Sequence, residues 1–201
     1  DTIFDAETGQ LTRALRPDER QFIANERRVC KLDYRYFTQY CRIVNWQQQD
    51  VAFTPNVAQS IIRDIWGEME EAGRAIWMQQ LKARRLGVST ETELAVLHRF
   101  QFWENTAAVV GSATPKNSIT LAGMMKYAFD REPWWLKPTP TKIQNDLPVE
   151  FAELHSTLSI QAGNQFTGVA RGATPTVIHL SELAEWMDAE LLIDAALMRA
   201  V

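Results

Sequence analysis

Strand-length apolar runs alternate with helix-period stripes along this chain, and few folds accept that alternation. Thr106-Ala107-Ala108-Val109-Val110-Gly111 and Thr176-Val177-Ile178-His179-Leu180 are too short and too continuous for helices, and they read as strands. Ala75 to Leu81 and Leu154 to Ile160 read the same way, although Gln79 and Gln80 weaken the first. Helices separate them. One begins at Thr54-Pro55, where Thr can cap free N–H groups and Pro suits the first helical position, and it stops near Gly73. Its stripe of Val57, Ala58, Ile61, Ile62, Ile65, Trp66 and Met69 faces the core, with Arg63, Asp64, Glu68 and Glu71 opposite. Others run from about Thr90 to Trp103, from Lys116 to Phe129 and from Asp188 to Ala200, and Trp134 to Pro140 is a loop. Such alternation predicts an α/β fold with a mostly parallel sheet flanked by helices. Another strand normally follows the last helix of such a sheet, so the chain reads as truncated at Val201.

The 201 residues suffice for one domain, here with an arm. Residues 1–50 carry eight acids and eight bases with poor apolar periodicity, and one or two helices packed on the body are expected there. Residues 51–201 hold the main domain. The net charge of −4 belongs entirely to the last 20 residues, where five acids face Arg199, so the body is neutral and no basic nucleic-acid domain is indicated. Lys116, Lys126, Arg131, Lys137 and Lys142 surround Trp134-Trp135. Bases among aromatics can grip nucleic acid, but these tryptophans read better as packing anchors. No apolar run is long enough to span a bilayer, and no basic-led apolar leader opens the sequence. Two cysteines and three histidines make neither a disulfide framework nor a metal cluster, and a reducing compartment fits.

The chemistry concentrates in Lys82-Ala83-Arg84-Arg85-Leu86-Gly87-Val88-Ser89-Thr90, which lies between an expected strand and an expected helix. That is the context of a phosphate-binding loop, G-x-x-x-x-G-K-[ST]. Gly87 and Ser89 fill two of its positions; Lys82 stands at the first Gly and Val88 at the Lys. Physically, the cradle needs backbone N–H groups at a helix start, a hydroxyl for Mg²⁺ and a cation. Gly87 to Thr90, Ser89 or Thr90, and Lys82, Arg84 or Arg85 can supply them. A solvated basic turn is the competing reading. The second element is the strand ending His179-Leu180-Ser181-Glu182, where an acid could position water for phosphoryl transfer. Its competing reading is a helix start capped by Ser181 and Glu185.

Together these segments resemble the ATPase domain of the large terminase subunit, the motor that packages DNA into phage and herpesvirus-type capsids. Members carry a loop of the form K-A-R-x-x-G-x-S-T, with its lysine at the front edge, and an acid strand ending H-L-S-E; Lys82 to Thr90 and His179 to Glu182 match both. Phe53-Thr54-Pro55-Asn56-Val57-Ala58-Gln59 matches the family's adenine-reading segment, in which the Gln59 amide, with donor and acceptor, suits the adenine edge. Arg171, in Ala170-Arg171-Gly172-Ala173-Thr174-Pro175, is the candidate for an arginine that reaches a neighbour's γ-phosphate, with Arg131 as runner-up; ordering its own loop is the alternative for Arg171.

The resemblance covers residues 50 to 200 or so and implies a P-loop NTPase fold of the ASCE type. It implies that ATP binds Phe53, Gln59, Lys82, Arg84, Arg85, Leu86, Gly87, Val88, Ser89 and Thr90, with Mg²⁺ held by Ser89 and indirectly by Ser181. Glu182, Lys82, Arg84 and Arg171 are the implied catalytic set. The implied partners are double-stranded DNA, a portal protein, a small terminase subunit and further copies in a ring, with no membrane, in the host cell cytoplasm. The family's coupling motif would lie past Val201, and its nuclease domain is absent from this sequence. The rivals are a helicase-like ATPase and a non-catalytic capsid-associated module.

Overall fold

The structure, a computed structural model, describes residues 3–5, 10–83, 85–162 and 174–186. The arm opens with a small antiparallel ladder, β1 (Phe4–Asp5) with β2 (Gln10–Leu11). Helix α1 (Pro17–Leu32) starts on a proline, with Asp18 and Glu19 in its first turn, where negative charge suits the free N–H groups. Short helix α2 (Tyr34–Phe37) follows, capped by the Asp33 carboxylate. A second hairpin pairs β3 (Arg42–Val44) with β4 (Asp50–Ala52). Cys30, Phe37 and Cys41 are buried in the same core cluster as Leu94, Phe100 and Phe151 of the body.

Helix α3 (Val57–Glu71) starts at Asn56, not Thr54: the Asn56 carboxamide accepts from Gln59 N–H, and the Gln59 side chain returns the bond to Asn56 N–H. It ends as expected, with Gly73 in the left-handed region at φ 65°. The expected stripe is buried only in part, through Ile62, with Ala58, Trp66 and Met69 half-buried and Asp64, Glu68 and Glu71 exposed opposite. Val57 is 79% exposed, with Ile61 and Ile65 also exposed, while Gln59, Ile62 and Arg63 are buried. Arg63 is drawn inside by a long-range partner, the buried Glu91 of the next helix.

Residues 74–83 form neither helix nor strand, so the expected strand from Ala75 to Leu81 is absent. Ile76, Trp77 and Leu81 are exposed there. A strand needs a partner for its backbone groups, and this segment pairs with no strand of the described sheet.

Helix α4 (Val88–Phe102) leads into β5 (Ala107–Ser112), and Thr114-Pro115 then starts α5 (Pro115–Arg131), with Thr114 Oγ1 accepting from Asn117 N–H at 3.2 Å. The hairpin β6 (Lys142–Gln144) and β7 (Leu147–Phe151) turns on Asn145 and Asp146, both at positive φ, and β8 (Ser156–Ala162) and β9 (Val177–Ser181) complete one sheet. Its order is β6-β7-β8-β5-β9. β5 pairs in parallel with both β8 and β9, and β7 alone runs against the rest. The architecture is therefore α/β, with a mostly parallel five-stranded sheet flanked by helices. β5 lies between β8 and β9 and is buried from Ala108 onward, which is why it reads as an unbroken apolar run. Its alternate residues serve two cores: Ala108 and Val110 join the large cluster with α4 and α5, while Val109 packs with Trp186, Ile178 and Leu180. The expected helix from Asp188 to Ala200 lies outside the described residues.

Candidate functional site

Two groups of expected site residues lie at one end of this sheet. The first surrounds the start of α4. Gly87 caps the helix at φ 70°, and a Cβ there would fall 2.7 Å from Gln59 Nε2, so both conformation and space call for glycine. The first helical bond runs from Glu91 N–H to Gly87 O, which leaves the N–H groups of Val88, Ser89 and Thr90 without an intrahelical acceptor. Gln59 is 4% exposed and divides its amide: Nε2 donates to Gly87 O at 2.8 Å, and Oε1 accepts from Asn56 N–H at 2.8 Å. Asn56 Nδ2 donates to Leu86 O at 3.1 Å. The start of α3 is thus stapled to the loop by two carboxamides. Phe53 is buried below it, with the Arg63 guanidinium 5.2 Å over its ring. Val88 is buried, Ser89 and Thr90 are half-buried, and Lys82, Arg85 and Leu86 are exposed. Arg85 also has positive φ, at 65°. Arg84 and Arg171 lie outside the described residues.

A buried ion pair supports this loop from beneath. Arg63 of α3 meets Glu91 of α4 through two nitrogens, at 2.5 and 3.1 Å, and Tyr34 of α2 donates to Glu91 Oε1 at 2.8 Å. The guanidinium also lies 5.0 Å over the Tyr34 ring. Burial, with Glu91 beside it, pushes the Tyr34 phenol well above its ordinary value, so it stays a donor.

The second group is at the end of β9. Ser181 is half-buried and lies in register with Ser112 of β5. Glu182 takes the left-handed conformation, φ 58° and ψ 42°, at the turn that follows. Its Oε2 accepts from Asn117 Nδ2 at 2.7 Å and from Ser112 Oγ at 3.4 Å. Ser112 and Asn117 were not among the expected site residues. Their signal in sequence is slight: polar residues just after an apolar strand and in the first turn of the next helix.

The groups are tied together by Glu93 and His179. Glu93 of α4 is fully buried, and its Oε1 lies 2.6 Å from His179 Nδ1 on β9. Helix α4 runs antiparallel to the parallel strands, since Thr106 at the foot of β5 bonds to Arg99 O and Trp103 O at the helix end. From the Glu93–His179 contact, Gly87 lies six helical residues, about 9 Å, back along α4. Glu182 lies three strand residues, about 10 Å, forward along β9. Both steps go toward the C-terminal end of the parallel strands, the place where open α/β sheets bind ligands. No hydrogen bond or ion pair among the described residues joins Lys82 or Arg85 to Glu182. Nor do three His, Cys, Asp or Glu side chains cluster as metal ligands among them.

Three of the five bases around Trp134 and Trp135 are engaged in internal contacts, while Lys116 and Lys142 are exposed. Arg131 reaches Asp50 at 3.4 Å and stacks on Tyr127, Lys126 meets Asp130, and Lys137 donates to Asp130 O. Trp134 stacks on Phe4 with centroids 5.0 Å apart, and Trp135 meets Phe22 and Tyr40 edge-on, so both rings anchor the arm. A cleft of about 440 Å³ between α1 and these tryptophans is lined by none of the expected site residues. Elsewhere, burial pushes the Glu132 carboxyl at the end of α5 up to about 8, against the pull of the Gln101 amide. No helix of the described residues is long and apolar enough to cross a membrane. No protein-family model matches the chain, and no curated protein matches it.

Proposed function

We propose that this chain is an ATP-binding and ATP-hydrolysing domain of a DNA-packaging motor of the large-terminase type. The observation that carries the reading is the 2.6 Å contact between Glu93 and His179, because it sets the Gly87 loop and the Glu182 carboxylate at one end of the sheet. The family itself is supported by the K-A-R-x-x-G-x-S-T and H-L-S-E resemblances.

The residues present fit a triphosphate with Mg²⁺. Three N–H groups, on Val88, Ser89 and Thr90, are free to donate to phosphate oxygens at a helix start. Ser89 offers a hydroxyl ligand, and Mg²⁺ in such sites is held mostly by phosphates and water with few side chains. When bound, Mg²⁺ neutralises charge on the β- and γ-phosphate oxygens. Lys82, at the front of the loop, offsets charge on the γ-phosphoryl oxygens, with Arg84 beside it in sequence. Glu182 accepts a hydrogen bond from the attacking water and aims its oxygen at the γ-phosphorus. The new P–O bond forms as the bridge to the β-phosphate breaks, and ADP leaves with that electron pair. Arg171 would act on a neighbouring copy's γ-phosphate, in a ring assembled with the portal protein, the small subunit and double-stranded DNA.

Glu182→Gln tests the reading. The amide keeps the shape and cannot act as a carboxylate, so ATP should still bind while turnover falls by about a hundredfold or more. Wild-type turnover in that variant removes Glu182 from its role. The unpaired segment 74–83 favours a second reading, a non-catalytic capsid-associated module whose loop is not seated on a strand. A melting temperature that does not rise with millimolar ATP or ADP would select that module.

A further inference from the structure

We propose that Asn117 is a positioning residue for Glu182: its amide anchors one carboxylate oxygen and so presents the other to the reacting water. The proposal rests on the hydrolytic reading above. Both donors near this carboxylate converge on the same atom, Oε2, with Asn117 Nδ2 at 2.7 Å and Ser112 Oγ at 3.4 Å. Among the described residues Oε1 accepts no hydrogen bond. A flexible glutamate side chain is thereby held by one oxygen, and the free oxygen keeps a defined direction.

The anchor is itself rigid. Asn117 is in the first turn of α5, its N–H held by Thr114 Oγ1 at 3.2 Å. The adjacent Ser118 hydroxyl bonds to Gln161 O on β8 and to Thr114 O. The Asn117 carboxamide plays no part in capping the helix, which leaves it free to act on Glu182. The other side of the contact is equally constrained. Glu182 is a non-glycine residue at φ 58°, a conformation that persists only where the surroundings over-determine it. The turn after it closes through Glu185 N–H to Glu182 O at 2.9 Å, and Trp186 Nε1 donates to Ser181 O at 2.9 Å. Backbone and carboxylate are therefore restrained by different elements, as orienting a water requires.

Asn117→Asp and Asn117→Ala separate this role from a structural one. Asp keeps the shape of Asn and suits the first turn of a helix, where negative charge is favoured. A merely structural Asn117 would tolerate Asp better than Ala. The proposal expects the reverse order in turnover, because Asp replaces a donor with a second carboxylate facing Glu182. In the protein, kcat should fall about tenfold in the alanine variant and further in the aspartate variant, with KM for ATP and ADP affinity unchanged. Combined with Glu182→Gln, neither change should lower kcat again, since the group being positioned is already gone. Wild-type kcat in Asn117→Asp, or additive losses with Glu182→Gln, overturns the proposal while leaving the ATPase reading intact. A wild-type protein that neither binds nor hydrolyses ATP overturns both.

Discussion

Replacing Glu132 with Gln should stabilise the fold by an amount that grows from pH 5 to pH 8. Glu132 is buried at the end of α5, and Gln101 Nε2 donates to its Oε2 at 3.0 Å. Its Oε1 and Gln101 Oε1 are both buried with no hydrogen-bond partner among the described residues. A protonated carboxyl carries a donor in a place where two oxygens lack one, which agrees with its displacement by burial to about 8 from an ordinary 4.5. The folded state then keeps a proton that the unfolded chain has lost. Below pH 4.5 both states are protonated and the group costs nothing. Between 4.5 and 8 folding must take up a proton, so stability falls as pH rises, by about 1.4 kcal/mol per unit. Across pH 5 to 8 the loss is on the order of 3 kcal/mol. His98, which burial pushes down to about 4, acts with the opposite sign and adds stability as pH rises from there toward 6.5. That contribution is common to both proteins and cancels in their difference. Gln has the shape of Glu and no proton to exchange, so the slope due to Glu132 disappears. Urea unfolding of both proteins at pH 5, 6, 7 and 8 measures it. Two stability curves that stay parallel across this range, or a variant less stable at pH 8, would refute the reasoning.

Two further outcomes follow from the loop and its support. Arg63→Met leaves Glu91 buried without its cation and should cost about 3–5 kcal/mol in chemical denaturation. A loss under about 1 kcal/mol would mean the pair does not hold α3 against α4. Lys82→Ala removes the cation at the front of the loop and should weaken ATP binding about tenfold, read by titration with a fluorescent nucleotide. Unchanged affinity would transfer the role to Arg84 or Arg85.

What the amino-acid order determined by itself was local. Thr106 to Gly111 was legible as a strand because a parallel strand between two neighbours, buried on both faces, must be apolar throughout, and Thr176 to Leu180 was legible as a short apolar run although it forms the half-buried edge strand. The helix from Lys116 to Phe129 was legible within one or two residues, its start at a Thr114 cap and Pro115 appearing only in the structure, and Gly73 marked a helix end because its left-handed conformation is local. The hairpin turn at Asn145-Asp146 carried a readable signal that short, interrupted strands concealed. Other features depended on partners far along the chain. Periodicity puts Val57, Ile61 and Ile65 inside, yet Arg63 is inside instead, because Glu91, 28 residues later, is there to neutralise it. Ala75 to Leu81 has the composition of a strand and no described strand to bond with. The candidate site divides in the same way. Gly87 and Glu182 were visible as residue types at suggestive places, while their common end of the sheet follows from a contact between residues 86 positions apart. Asn117 beside Glu182 was equally hidden, because hydrogen bonding depends on distance in space and one-dimensional spacing records that only within a single element.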